Sequence, residues 1–473
     1  MEAAAAARNP PHIAMVPTPG MGHLISLTEF AKRLVRYHNF TVTFLIPHDG
    51  NSTKSQLSIL EGLPTSISYS FLPPADMSNT PADTLILTRV ILTLTRSLSD
   101  LRESLRALAE STRLVALLVD LFGFPAFDLA GELGVPAYMF YSCNALSLCS
   151  ILYVRKLDQK YTCESQDSPE QVQFFPGCVP VQWADMIDAV QERQTENYKR
   201  VLGMAKQYQR PAGVLVNSFV DLEPAAFKSL MQKDGEIAPI YPVGPLIRDG
   251  LEKGSSGSDL CLRWLDDQPN GSVLYVSFGS GGTLSRDQIK ELAFGLEESG
   301  HRFVWVVKSP SDDSKNASFF KEQIADEPLW FLPEGFLERT KGFGMVVPSW
   351  APQVQILSHG STGGFLSHCG WNSVLESIIN GVPIIAWPLF AEQRLNAVEL
   401  TTDLKVALRV KPNDGGVVER RQISECIKRL MASEEGKMLR ERVTALRFAA
   451  ATAFAKDGSS TKKISELADI WNH

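Results

Sequence analysis

Hydrophobic and polar positions fall along this chain in two long series of the same kind. Short apolar runs stop at glycine or proline, and each is followed by a stretch whose apolar residues recur every three or four positions. HIAMVP at 12–17 and TVTFLIP at 41–47 read as strands. Between them HLISLTEFAKRLVRYH places Leu24, Leu27, Ala31 and Leu34 on one helical stripe with Phe30 beside it. Residues 51–81 read as loop-rich, Leu85 to Leu108 as one long helical region, and LVALLVD at 114–120 as a buried parallel strand ending on Asp120. Strand and helix signals alternate from 150 to 245, including GVLVNSF and PIYPVGPL.

The second series opens with SVLYVSF at 272–278, the turn GSGG, and a helix for which Ser285 and Gln288 are expected to form a capping box. It continues through the strand-like GGFLSHCG, a helix from Trp371 with Val374, Leu375 and Ile378 on one side, a stop at Gly381 and Pro383, and the strand-like PIIAWP. Helical patterns run from Glu392 to the amphipathic KKISELADIWNH. The Gly-, Ser- and charge-rich segment 247–258 is the expected linker, which divides the chain into 1–246, 259–455 and a closing helix at 456–473. Residues 309–330 read as a solvated insertion.

At 473 residues the chain has room for two α/β domains, and 44% hydrophobic with 21% charged residues is a globular composition. A net charge of -7 argues against nucleic-acid or anionic-membrane binding, so an anionic ligand must be held by a local site. The N-terminus lacks a basic leader with an apolar core, and the longest aliphatic run, Leu114 to Val119, is too short to span a bilayer. Seven cysteines without a CxxC pair fit reduced cytosolic thiols better than disulfides or zinc, and Cys369 reads as a packing residue.

Two places carry candidate chemistry. The strand, glycine turn and helix around 363–388 form a Rossmann-type half, whose helix N-terminus offers unpaired N–H groups and the positive end of a dipole to a pyrophosphate. His368, Asn372 and Ser373 flank that turn as further donors, and Glu376 lies one turn on, where a carboxylate can accept from ribose hydroxyls. Trp350, between Pro348 and Pro352, suits stacking on a base, and Gln353 suits its edge. Ser280 in GSGG faces the same anion from another strand end, although such a turn is often only a tight connection. In the first series His23 and Asp120 share the carboxyl edge of one sheet, where a carboxylate can hold an imidazole with Nε2 free. Alone, each has an ordinary alternative as a helix-start or capping residue.

The run from Trp350 to Gln393 resembles, without a gap, the signature box of plant family 1 glycosyltransferases, with WAPQ, HCGWNS and AEQ at their spacings. These enzymes move sugar from uridine diphosphate sugars to small lipophilic acceptors. The resemblance extends over nearly the whole chain through GMGHL, VDLFG and SFGSGGT, and is nearest to the hydroquinone and simple-phenol glucosyltransferase branch. It implies the GT-B fold, two Rossmann-like domains facing across a cleft with the last helix returning to the first. It implies His23 as general base held by Asp120. Donor contacts would come from Ser280, Trp350, Gln353, His368, Trp371, Asn372, Ser373 and Glu376, with Glu392 and Gln393 on the sugar. UDP-glucose and a small aromatic acceptor are the expected partners of a cytoplasmic monomer, with no metal.

This chain departs from the family wording at Ser26, at Phe124 and Pro125 in FGFPAFD, and at FYSCNA, which stands where relatives often have FYPTTA. The last two departures lie near the expected acceptor pocket. O-glucosylation of a phenol is therefore expected first, with C-glucosylation of a flavonoid-type ring as its alternative. A nicotinamide dehydrogenase fits less well, since GMGHLI and GSGGTL lack the third small residue of GxGxxG and no acid ends TVTFLIP. A non-enzymatic binder would not need a base at position 23.

Overall fold

The computed structural model describes residues 9–50, 53–81, 84–160, 172–173, 178–232, 237–248, 258–312 and 329–473. Strands β1 (Pro11–Val16), β2 (Thr41–Ile46), β3 (Ile67–Phe71), β4 (Arg113–Asp120) and β5 (Ala137–Tyr141) come first. A short antiparallel pair, β6 (Val172–Gln173) and β7 (Val181–Gln182), precedes β8 (Gly213–Val216) and β9 (Ile240–Pro242). Apart from that pair they form one parallel sheet of order β3-β2-β1-β4-β5-β8-β9. The second half repeats the plan with β10 (Val273–Ser277), β11 (Arg302–Val307), β12 (Gly344–Pro348), β13 (Thr362–Ser367), β14 (Ile384–Ala386) and β15 (Ala407–Arg409). Their order is β12-β11-β10-β13-β14-β15, again parallel. The expected pair of Rossmann-like units is therefore observed.

Each sheet is covered on both faces, which is why its strands read as apolar runs and not as alternating ones. The stripe on helix Met21–His38 is fully buried at Leu24, Leu27, Phe30, Ala31 and Leu34. That helix begins two residues before His23, so His23 sits in its first turn. The region from Leu85 to Leu108 is two helices, Ile86–Arg96 and Leu98–Ser111. They break at Ser97, whose hydroxyl donates back to the Thr93 carbonyl at 3.0 Å. The capping box is half formed. Ser285 Oγ accepts from the Gln288 N–H, while the Gln288 side chain instead pairs with both the carbonyl and the N–H of Val418.

The closing helix, Ser459–Asn472, packs on the first unit. Its Trp471 meets Phe30, Phe40 and Tyr138 edge-on at 6.4, 6.1 and 5.1 Å, and Ile464, Leu467 and Ala468 are buried in the same cluster. Truncating a buried tryptophan of this kind costs about 3–5 kcal/mol. The two units also meet through ion pairs of Arg394 with Asp188 and Arg409 with Asp185, each at 2.5 Å. No helix among the described residues is long and apolar enough to cross a membrane. Most of the expected linker and of the insertion at 309–330 lies outside the described residues, as do the first eight residues and Cys163.

Candidate active site

Strand order reverses between β1 and β4 in the first sheet and between β10 and β13 in the second. Loops leaving neighbouring strands at such a point turn to opposite faces and open a crevice at the carboxyl ends. Both candidate sites lie there.

In the first sheet, β1 runs into Pro17–Gly20, and Gly20 has a φ of 138°, a backbone conformation that favours glycine. The helix then starts, bringing His23 over the end of β4. His23 Nδ1 lies 2.7 Å from Asp120 Oδ2. Asp120 is wholly buried, and its charge is met by donors on both oxygens: Thr18 Oγ1 and His23 on Oδ2, and the Leu121 N–H at 2.7 Å on Oδ1. With Nδ1 engaged, Nε2 is the nitrogen left to take a proton, and the side chain is 19% exposed. Burial, the largest single influence, pulls the His23 pKa down, but the charge and hydrogen bond of Asp120 and the charge of Glu392 outweigh it and raise the pKa above 6.5.

In the second sheet, β13 delivers His368, Cys369 and Gly370 to the start of helix Trp371–Asn380. The imidazole of His368 packs against glycines on both sides: a Cβ at Gly279 or Gly370 would come within 2.5 or 2.4 Å of its ring. Burial, helped by the charge of Lys308, lowers the His368 pKa to about 3. The ring is therefore neutral at physiological pH and acts by hydrogen bonding. Its Nδ1 is buried without a partner among the described residues, as is Oδ1 of Asn372. Two such atoms beside a helix N-terminus are the groups that a polar ligand would satisfy. Gln353 Nε2 donates to Ser373 Oγ at 2.8 Å and to Glu376 Oε2 at 2.7 Å, so these three residues form one cluster. Burial raises the Glu376 pKa to about 7, against the opposing Gln353 hydrogen bond and Arg248 charge. Trp350, next to this cluster in sequence, leaves its side chain 44% exposed at the end of β12.

Other expected residues are directed elsewhere. Trp371 is buried and its indole N–H donates to the Asn217 carbonyl of the first unit at 2.7 Å. Gln393 Oε1 accepts from the N–H groups of Leu389 and Phe390 at 2.9 and 3.1 Å, which ties down its own loop. Glu392 parts from its neighbour and lies by His23 and Cys143, with burial the main cause of its raised pKa. The Ser280 side chain is exposed, and its carbonyl accepts from Lys308. Among the described residues, no group of three or more His, Cys, Asp or Glu is placed to hold a metal ion.

Sequence reasoning missed several supporting groups. Thr18 holds Asp120, Ser142 Oγ lies 3.0 Å from His23 Nδ1, Lys308 holds the Gly279 carbonyl at 2.6 Å, and Asn396 holds the Cys369 carbonyl at 2.9 Å. Thr18 and Ser142 each follow the carboxyl end of a central strand, a signal that points to both.

The two sites meet directly. Asn372 Nδ2 donates to the carbonyl of Gly22, the residue before His23, at 2.8 Å.

The chain is similar to known proteins over nearly its whole length. The family model described as UDP-glucoronosyl and UDP-glucosyl transferase matches residues 252–414. A hydroquinone glucosyltransferase of Rauvolfia serpentina is 54% identical over 464 residues, covering 98% of either chain. Among solved structures, UGT2 of Phytolacca americana in complex with UDP-2fluoro-glucose and pterostilbene is 48% identical, with a TM-score of 0.90 over 98% of this chain and 100% of that one. A UDP-glucosyltransferase from Polygonum tinctorium capable of glucosylating indoxyl, in complex with 3,4-dichloroaniline, is 46% identical, with a TM-score of 0.91 over 99% and 100% of the two chains.

Proposed function

This chain belongs to the UDP-glucoronosyl and UDP-glucosyl transferase family, and from that premise we propose that it transfers glucose from UDP-glucose to a hydroxyl of a small phenolic acceptor, with inversion, using His23 as general base. Residues 1–246 would carry the acceptor and 259–455 the donor, in a cytosolic monomer. The observation that carries this reading is the hydrogen bond from Asn372 to the Gly22 carbonyl, which sets the base beside the helix start that would hold the pyrophosphate.

Asp120 keeps the Nδ1 proton of His23 in place, so Nε2 takes the acceptor proton and the resulting imidazolium is stabilised by the same carboxylate. The hydroxyl oxygen attacks the anomeric carbon on the face away from the leaving group. UDP leaves with its charge met by the N–H groups of helix Trp371–Asn380, by His368, by Ser373 and by Asn372, an arrangement that needs no metal. Trp350 offers a face for the uracil, and Glu376 and Gln353 offer polar groups to the ribose and base. Glu392, lying by His23, is the residue of the AEQ element suited to the sugar hydroxyls. Hydroquinone, pterostilbene and indoxyl, which stand in the names of the relatives, are hydroxyl-bearing aromatics and support the acceptor class.

The test is incubation of His23→Ala and wild type with UDP-glucose and a panel of phenols, with UDP binding followed by calorimetry. Wild type should give an acid-labile glucoside, and His23→Ala should lose transfer by on the order of 10³-fold while its UDP Kd stays within about twofold. Transfer that survives the substitution would overturn the base. An acid-resistant product would replace the O-linkage by a C-linkage.

A further inference from the structure

The imidazole of His23 is gripped from a second direction. Strand β5 pairs with β4 so that Asp120 stands opposite Phe140, and the chain continues through Tyr141 to Ser142 on the same sheet edge. Ser142 is buried, and its Oγ lies 3.0 Å from the same Nδ1 that Asp120 Oδ2 approaches at 2.7 Å. A single Nδ1 proton can be shared between these two acceptors in a three-centre bond. Ser142 is followed by Cys143, whose thiol lies beside the Ser142 hydroxyl and the carboxyl of Glu392. Burial raises the Cys143 pKa well above the ordinary thiol value, so the group is a protonated S–H and a donor. This arrangement lets donors and acceptors run in one sense, with Nδ1–H to Ser142 Oγ, its O–H toward Cys143 Sγ, and the S–H toward Glu392.

We propose that Ser142 and Cys143 are positioning residues that form a second arm on the general base, holding the His23 ring against rotation and linking it to Glu392 at the end of the nucleotide-sugar motif. This rests on the reading of His23 as base. Asp120 alone fixes which nitrogen carries the proton, but a ring held at one point can still swing about its Cβ–Cγ bond. Two acceptors on neighbouring strands remove that freedom and aim Nε2 at one place. The arm also ties the aim of the base to the loop ahead of helix Gln393–Val398, on the other unit.

The ionisable groups around the ring and arm are Asp120 on β4, Tyr141 and Cys143 at the end of β5, Tyr208 behind Asp120, and Glu392 from the second unit. Tyr141 and Tyr208 are held neutral by burial, which leaves Asp120 and Glu392 to set the charge that His23 meets.

The experiment compares Ser142→Ala, Cys143→Ala and Cys143→Ser with wild type, using UDP-glucose and the phenol that wild type turns over best, with kcat, KM and the pH profile of kcat/KM measured. Ser142→Ala should lower kcat roughly fivefold with KM for UDP-glucose within about twofold. It should also move the acid limb of kcat/KM to lower pH by about half a unit, because the imidazolium loses an acceptor. Cys143→Ala should show the same direction with a smaller effect, and Cys143→Ser, which keeps a donor at that position, should return to wild type. If Ser142→Ala changes only melting temperature, with kcat and the acid limb unmoved, the arm is packing alone and the proposal falls. His23→Ala in the same assay separates the layers: if it abolishes transfer, the base stands whatever Ser142 does, and if it does not, base and arm fall together.

Discussion

The two strand-end sites differ in how their polar groups are satisfied. On the first sheet, both oxygens of Asp120 and the Nδ1 of His23 have their partners within the protein. On the second, His368 Nδ1 and Asn372 Oδ1 are buried with none among the described residues, and the Glu376 carboxyl is buried enough to titrate near 7. Under the proposed function the difference follows from the task. A base must keep one orientation and one proton position through every turnover, so its contacts are internal. A donor site must release a charged product each cycle, so part of its bonding capacity is kept for the ligand. On that proposal the first site serves rate and the second affinity, and substitutions should separate them.

The largest effect is expected from Asp120→Asn, which removes the charge that holds and raises His23. We expect kcat to fall by on the order of 10³, with the acid limb of kcat/KM moving to lower pH and the UDP Kd within about twofold. A matching loss of UDP affinity would break the division. Next, Asn372→Asp sets a carboxylate beside the helix start and should weaken UDP by about 100-fold in calorimetry. His368→Ala should weaken UDP by roughly tenfold, by the same factor at pH 6 and pH 8, since a ring whose pKa is about 3 is neutral at both.

A further effect concerns stability. The native Glu376 carboxyl titrates near 7 against an ordinary value of 4.5, so between those values the folded protein holds a proton that the unfolded chain has shed. Its contribution therefore declines as pH rises from about 4.5 to about 7, by up to about 3 kcal/mol. Glu376→Gln should flatten that decline in melting temperatures of ligand-free protein at pH 5 and pH 7.5. An unchanged slope would mean that the carboxyl is ionised throughout.

Much of this architecture was legible because it rests on period and punctuation. Apolar runs closed by glycine marked the parallel strands, and the rule that ligands sit at carboxyl ends brought His23 and Asp120 to one edge from 97 positions apart, as their 2.7 Å contact bears out. What the pattern lacked was direction. Trp371 and Asn372 are successive residues at a helix start, where side chains diverge by about 100°, and both reach across to the first unit, through Asn217 and Gly22. Glu392 and Gln393 part in the same way. The hydroxyls of Thr18 and Ser142 act over 102 and 119 residues of sequence, and no local periodicity encodes such a meeting. The break at Ser97 was hidden because apolar spacing continues through it on both sides.

Trp471 leaves the ribosome after every strand of both sheets. A nascent chain that has emerged through β9 carries every strand of the first sheet, yet Phe30, Phe40 and Tyr138 still lack the indole that closes over them. For the whole of the second unit's synthesis the first therefore exposes an aromatic patch, the kind of surface that chaperones bind. The front of the molecule matures on a schedule set by its back, and a fusion that tethers residues 459–472 acts on the first unit although it is attached beyond the second.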